Sequence, residues 1–80
     1  MFELDTICIS ILEILAENKG EIGISMLDRK LYDRLGYDFA ISLNFRTGDK
    51  IRELKQLELI SQTSPYKLTI KGRLYLDCID

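Results

Sequence analysis

The chain predicts an α+β fold class that is mostly α: three helices, then a short two-stranded hairpin, then a short C-terminal helix. Three observations carry this. Eighty residues make one domain, 1–80, with a small core. Apolar residues recur three and four apart through most of the chain, the period of helices that bury one stripe. Around Ser64-Pro65 two short runs flank a turn signal, as in a hairpin.

Leu4, Ile7, Cys8, Ile11, Ile14 and Leu15 form one stripe and predict a helix over 3–18. Asn18 to Gly20 end it, with Gly20 suited to a left-handed cap. Glu21-Ile22-Gly23-Ile24 is too short for a helix and reads as a small strand. Ser25-Met26-Leu27-Asp28 looks like a capping box with Asp for the usual Glu. The helix it opens buries Leu27, Leu31 and Leu35 and stops at Gly36. Residues 37–46 fit two descriptions. Phe39, Ile41, Leu43 and Phe45 alternate with small or polar residues, as in an extended segment, yet Ile41, Phe45, Gly48 and Ile51 also fit a helix. A third helix is expected over 49–57, with Thr47 as N-cap, Asp49 in its first turn, and Ile51 and Leu54 buried. Leu59 to Thr63 and Tyr66 to Thr69 are the expected strands. Thr69 caps a last helix through Leu74, Tyr75 and Cys78.

Composition excludes several chemistries. The chain has no His, which removes Ser-His-Asp and Cys-His nucleophilic sites and His-ligated metal. Its two Cys, at 8 and 78, make neither a four-cysteine zinc site nor a disulfide framework, and both read as small core residues. No apolar run reaches the roughly 18 residues of a membrane span, and Glu3 and Asp5 stand where a signal peptide would be positive. A cytoplasmic protein with free thiols, without cofactor or metal and without enzymatic activity, is expected. The net charge is −2, but it is divided: residues 1–24 are acidic and residues 44–75 carry a net positive charge. Such a division hints at an anionic partner.

Leu54-Lys55-Gln56-Leu57-Glu58-Leu59-Ile60 resembles the end of the recognition helix in MarR-like and PadR-like regulators, which usually runs Leu-Glu-x-x-Gly-Leu-Ile. Tyr66-Lys67-Leu68-Thr69-Ile70-Lys71-Gly72-Arg73-Leu74-Tyr75-Leu76 resembles the segment Tyr-x-Leu-Thr-x-Lys-Gly-Arg-x-Tyr-Leu that follows their hairpin. The likeness is close over 54–76 and elsewhere extends only to element order. It implies a winged helix-turn-helix domain and a transcriptional regulator that binds double-stranded DNA. Gly72 then lets the last helix approach the hairpin. Three departures stand out. Glu58 replaces the usual Gly, which predicts a looser exit from the third helix. The wing is only Thr63 to Tyr66, and the gap from Gly36 to Thr47 exceeds a standard helix-turn-helix turn.

In that layout the third helix meets the major groove. With Ile51 buried, Arg46, Asp49, Glu53 and Gln56 face outward, flanked by Lys50 and Arg52. Arg46, Lys50, Arg52 and Gln56 are the candidate base and phosphate contacts, with Lys67 on the wing. Asp49 and Glu53 oppose them. Local pairs on a solvated surface explain the same charges. A protein-binding module without DNA binding, working through helix one or the apolar Phe39–Phe45 segment, is the alternative. On helix one, Phe2, Ile9 and Ala16 recur at seven with Leu12 beside them, a second apolar stripe. It is either a homodimer seam or a face covered by the last helix.

Overall fold

The computed structural model describes residues 4–18 and 22–79. The described residues form five helices: α1 Thr6–Glu17, α2 Ile24–Leu35, α3 Tyr37–Leu43, α4 Thr47–Gln56 and α5 Ile70–Ile79. Phe2, Gly20 and Glu21, which enter the expected first helix, its cap, its second stripe and the small strand, lie outside the described residues.

Helix α1 is the centre of the molecule and packs against α2, α4 and α5. Asp5 starts it: the backbone there is extended and its carboxylate accepts the Cys8 N–H at 2.8 Å. Asn18 ends it, donating both its main-chain N–H and its side-chain amide to the Ile14 carbonyl. The stripe seen in the sequence is buried, and so are Ser10 and Leu12 beside it. Leu27 and Leu31 of α2, Ile51 and Leu54 of α4, Leu59, Ile60, Tyr66 and Leu76 of α5 complete one core around it. Each such aliphatic side chain contributes about 2 kcal/mol when removed from water.

Helix α2 begins one residue before the expected Ser25, with Gly23 as N-cap and no side-chain capping bond. The capping box does not form because the helix starts at Ile24 and Ser25 is not its cap; the Asp28 carboxylate instead accepts the hydroxyl of Thr47, tying α2 to the start of α4. Gly36 ends α2 at φ 90°, a conformation that favours glycine. Residues 37–43, which fitted two descriptions, are helical, and Asn44 in the left-handed region turns the chain towards α4. Arg46, not Thr47, is the N-cap of α4, and Thr47 is buried as its first residue.

The expected α+β class is not observed. Among the described residues there is no sheet and no two-stranded wing, and the fold is helical. Where the hairpin was expected, single antiparallel bridges join Ile60 to Leu68 and Ile22 to Tyr66. The main chain of Tyr66 bonds to Ile22 in both directions, at 3.1 and 2.7 Å. The Lys67 N–H is held by the Ser61 hydroxyl at 3.1 Å, and Pro65 has no N–H to give. The Ser61 N–H to the Lys67 carbonyl at 2.9 Å and the Thr69 N–H to the Leu59 carbonyl at 3.2 Å flank the Ile60–Leu68 bridge, and with the Lys67 N–H on the Ser61 hydroxyl the pairing goes no further.

The exit from α4 also differs from expectation. Glu58 takes the left-handed conformation, φ 63°, that the absent glycine would adopt freely. Its N–H reaches the Lys55 carbonyl and the Leu59 N–H reaches Leu54, both at 3.0 Å, so the turn is tight despite the side chain. Thr69 caps α5: its hydroxyl accepts the Gly72 N–H at 3.0 Å and donates to the Glu58 carbonyl at 2.7 Å. Gly72 faces the Leu59 carbonyl, where a Cβ would have no room. No described helix is long and apolar enough to cross a membrane.

Candidate nucleic-acid interface on the fourth helix

Helix α4 buries Thr47, Ile51 and Leu54 and turns the opposite face to solvent. Arg46, Asp49, Arg52, Glu53 and Gln56 are all exposed there. Three of the five candidate DNA contacts, Arg46, Arg52 and Gln56, therefore share this face. Lys67 is exposed on the segment between Pro65 and α5. Lys50 differs. Its ammonium lies 2.5 Å from the Asp5 carboxylate, and it joins the N-terminus of α1 to α4. A cation engaged in this way is less available to a phosphate than Arg46 or Arg52.

The pair sits within a small electrostatic cluster. Partial burial pushes the Asp5 carboxyl up, but the Lys50 ammonium and the Cys8 N–H together outweigh it and hold it below the usual carboxylate range. The bond to Asp5 raises Lys50 in turn, against a smaller loss from burial. Burial, with the Asp5 and Glu53 charges next in weight, pushes the Cys8 thiol far above its ordinary range. Cys8 is thus a protonated, enclosed thiol whose Sγ lies 3.7 Å from Glu53 Oε2, while Cys78 is free and exposed. The expectation that both thiols are core residues holds for Cys8 alone.

Two open grooves lie at the two ends of α4. At the C-terminal end, Lys55, Gln56, Glu58, Gln62 and Lys71 line a concavity of about 730 Å³. Lys55 also sits over the Tyr66 ring, 5.2 Å from its centre. Lys55 is not among the sequence's candidate contacts because it falls close to Ile51 on a helical wheel, on the buried side of the helix. At the N-terminal end, Arg46, Asp49 and Lys50 border a groove whose apolar wall is Phe39, Leu43 and Phe45. Helix α3 is unusual for so short an element. Tyr37 is 68% exposed and Phe39 53%, with Ile41 and Leu43 also exposed, and Ala40 alone is buried.

The second stripe of α1 lies largely inside this chain. Leu12 has no exposed surface, and Ile9 and Ala16 are partly buried against the core. Leu76 of α5 joins the same core. Leu12 has no surface left for a second copy, and Phe2 lies outside the described residues. Among the described residues no group of His, Cys, Asp or Glu is arranged to hold a metal. The chain matches no known protein family, and it matches no curated protein and no solved structure.

Proposed function

We propose that this chain is a small cytoplasmic DNA-binding protein that meets double-stranded DNA through the exposed face of α4 and acts in transcriptional regulation. The observation that carries the reading is the groove at the C-terminal end of α4. There Lys55, Gln56 and Lys71 converge with one acid, Glu58. Arg46 and Arg52 extend the positive charge along the exposed face of the same helix. A polar, exposed helix with arginines and a glutamine suits phosphate contacts and purine edges. The resemblance of residues 54–76 to DNA-binding regulators supports the same reading.

Binding is weak and strongly salt-dependent. Asp49 and Glu53 lie among the cations, and Lys50 is engaged by Asp5. With Arg46, Arg52, Lys55 and Lys71 on phosphates, log affinity falls against log salt with a slope of about −3 to −4. The test is anisotropy of a labelled random duplex titrated at several salt concentrations. Arg52→Gln with Lys71→Gln reduces the slope by about two. Absence of binding at low salt, or a slope unmoved by the double variant, refutes the reading.

A second reading has its own observation, the exposed apolar residues of α3. They suit a protein partner lying along Phe39 and Leu43. No duplex binding at low salt, with a protein contact that hardly responds to salt, favours it.

A further inference from the structure

Lys50 stands between two possible partners. It follows Arg46, the N-cap of α4, by four residues, so the two side chains lie on one side of the helix, about 40° apart at 100° per residue. Both border the groove at the N-terminal end of α4. By position Lys50 continues the row of cations that the exposed face of α4 offers to phosphates. By contact it belongs to α1, with its ammonium on the Asp5 carboxylate at 2.5 Å. The acid one turn further along its own helix, Glu53, points elsewhere: its Oε2 lies 3.7 Å from Cys8 Sγ.

We propose, on the premise that α4 meets DNA, that Asp5 withholds Lys50 from the phosphates and so limits how many the α4 face can hold. Asp5 is fixed where a competitor has to be. Its backbone is extended at the start of α1, and its Oδ1 accepts the Cys8 N–H at 2.8 Å, which leaves Oδ2 for Lys50. The carboxylate cannot follow the lysine when the flexible four-carbon stem swings away. After release Asp5 still caps α1, so the fold loses one ion pair and keeps the helix end.

The competition is close, because a partly exposed ion pair is weak and a phosphate oxygen is a charge-assisted acceptor like the carboxylate. Surrounding charge decides it. Asp5, Asp49 and Glu53 outnumber Arg46 and Lys50 around this groove. They repel an arriving phosphate, and Asp5 is already in place. Neutralising Asp5 removes the competitor and leaves two acids against two cations at that end of α4. Lys50 then joins Arg46 on the DNA.

The test is the salt dependence of random-duplex binding, read by anisotropy, for the natural chain, Asp5→Asn, Lys50→Gln and the double variant. Asparagine caps a helix through its side-chain oxygen, and Asp5→Ser is a second variant that also caps. Circular dichroism checks that each chain folds. The expected result is tighter binding by Asp5→Asn, about two- to fivefold at low salt, with log affinity falling more steeply against log salt by about one unit. Lys50→Gln takes that unit away from the Asp5→Asn chain and moves the slope of the natural chain much less. This non-additivity marks a withheld cation, because the mere loss of a negative charge acts alike with or without Lys50. Duplex binding whose slope neither Asp5→Asn nor Asp5→Ser changes overturns the withholding and leaves the α4 reading standing. So does a slope that Lys50→Gln lowers equally in both backgrounds. Duplex binding by none of the chains overturns both.

Discussion

Gly72→Ala sets two effects of opposite sign against each other. Helix preference alone favours alanine at an interior helical position by about 1 kcal/mol. Packing opposes it. A Cβ at residue 72 would stand 2.1 Å from the Leu59 carbonyl oxygen and 3.1 Å from both the Leu59 carbonyl carbon and Leu68 Cδ2. The nearest atom is main chain and cannot rotate away. Leu59 O also accepts the Thr69 N–H at 3.2 Å, so α5 cannot retreat by the needed ångström without straining that bond and drawing Leu76 from the core. Overpacking costs about 1–3 kcal/mol and a lost hydrogen bond about 1. The net change is about 1–3 kcal/mol of destabilisation. A domain of this length has about 4–12 kcal/mol in all, and its Tm falls by roughly 5–20 °C. Thermal and urea unfolding followed by circular dichroism measure it. Gly48→Ala is the control: its Cβ meets nothing within 4 Å, so helix preference acts alone and stability holds or rises. A Gly72→Ala chain as stable as the natural one refutes the close approach of α5 to Leu59.

Glu58→Gly relieves a left-handed non-glycine residue and stabilises the chain by about 1 kcal/mol in urea unfolding, whereas Glu58→Val destabilises it. Under native conditions dithionitrobenzoate titrates one thiol per chain, Cys78, and a second only on unfolding, because Cys8 is enclosed and protonated. The Asp5 carboxyl is held low in the folded chain, so the stability it gives is present above the unfolded value of about 4 and is lost as pH falls through the lower folded value. Asp5→Asn keeps an N-capping side chain but flattens that acid limb of the stability–pH curve; an unchanged limb contradicts the role given to the Lys50 pair.

Helix positions were legible wherever one stripe repeats. Ile7, Ile11, Leu27, Leu31, Ile51 and Leu54 were placed in the core by spacing, and they are buried. The expected hairpin shrinks to the single Ile60–Leu68 bridge because strand propensity does not reveal where main-chain groups bond, and the Ser61 hydroxyl takes the Lys67 N–H that the next rung needs. Helix α3 was ambiguous because both sides of a seven-residue helix carry large apolar residues, which mimics a period of two. Glu58 violated the glycine rule and the turn formed nonetheless, since neighbouring packing overrides a local preference. On the candidate face, the exposure of Arg46, Arg52 and Gln56 followed from the helical wheel. The engagement of Lys50 by Asp5 did not, because the partners are 45 residues apart and meet through the packing of α1 on α4.

The most direct test of the α4 reading is an amide chemical-shift map of the labelled chain titrated with a short random duplex at low salt. The account requires shifts along Arg46–Gln56 and around Lys71, fading together as salt rises, with Tyr37–Leu43 undisturbed. Shifts confined to α3, or no shifts at all, contradict it.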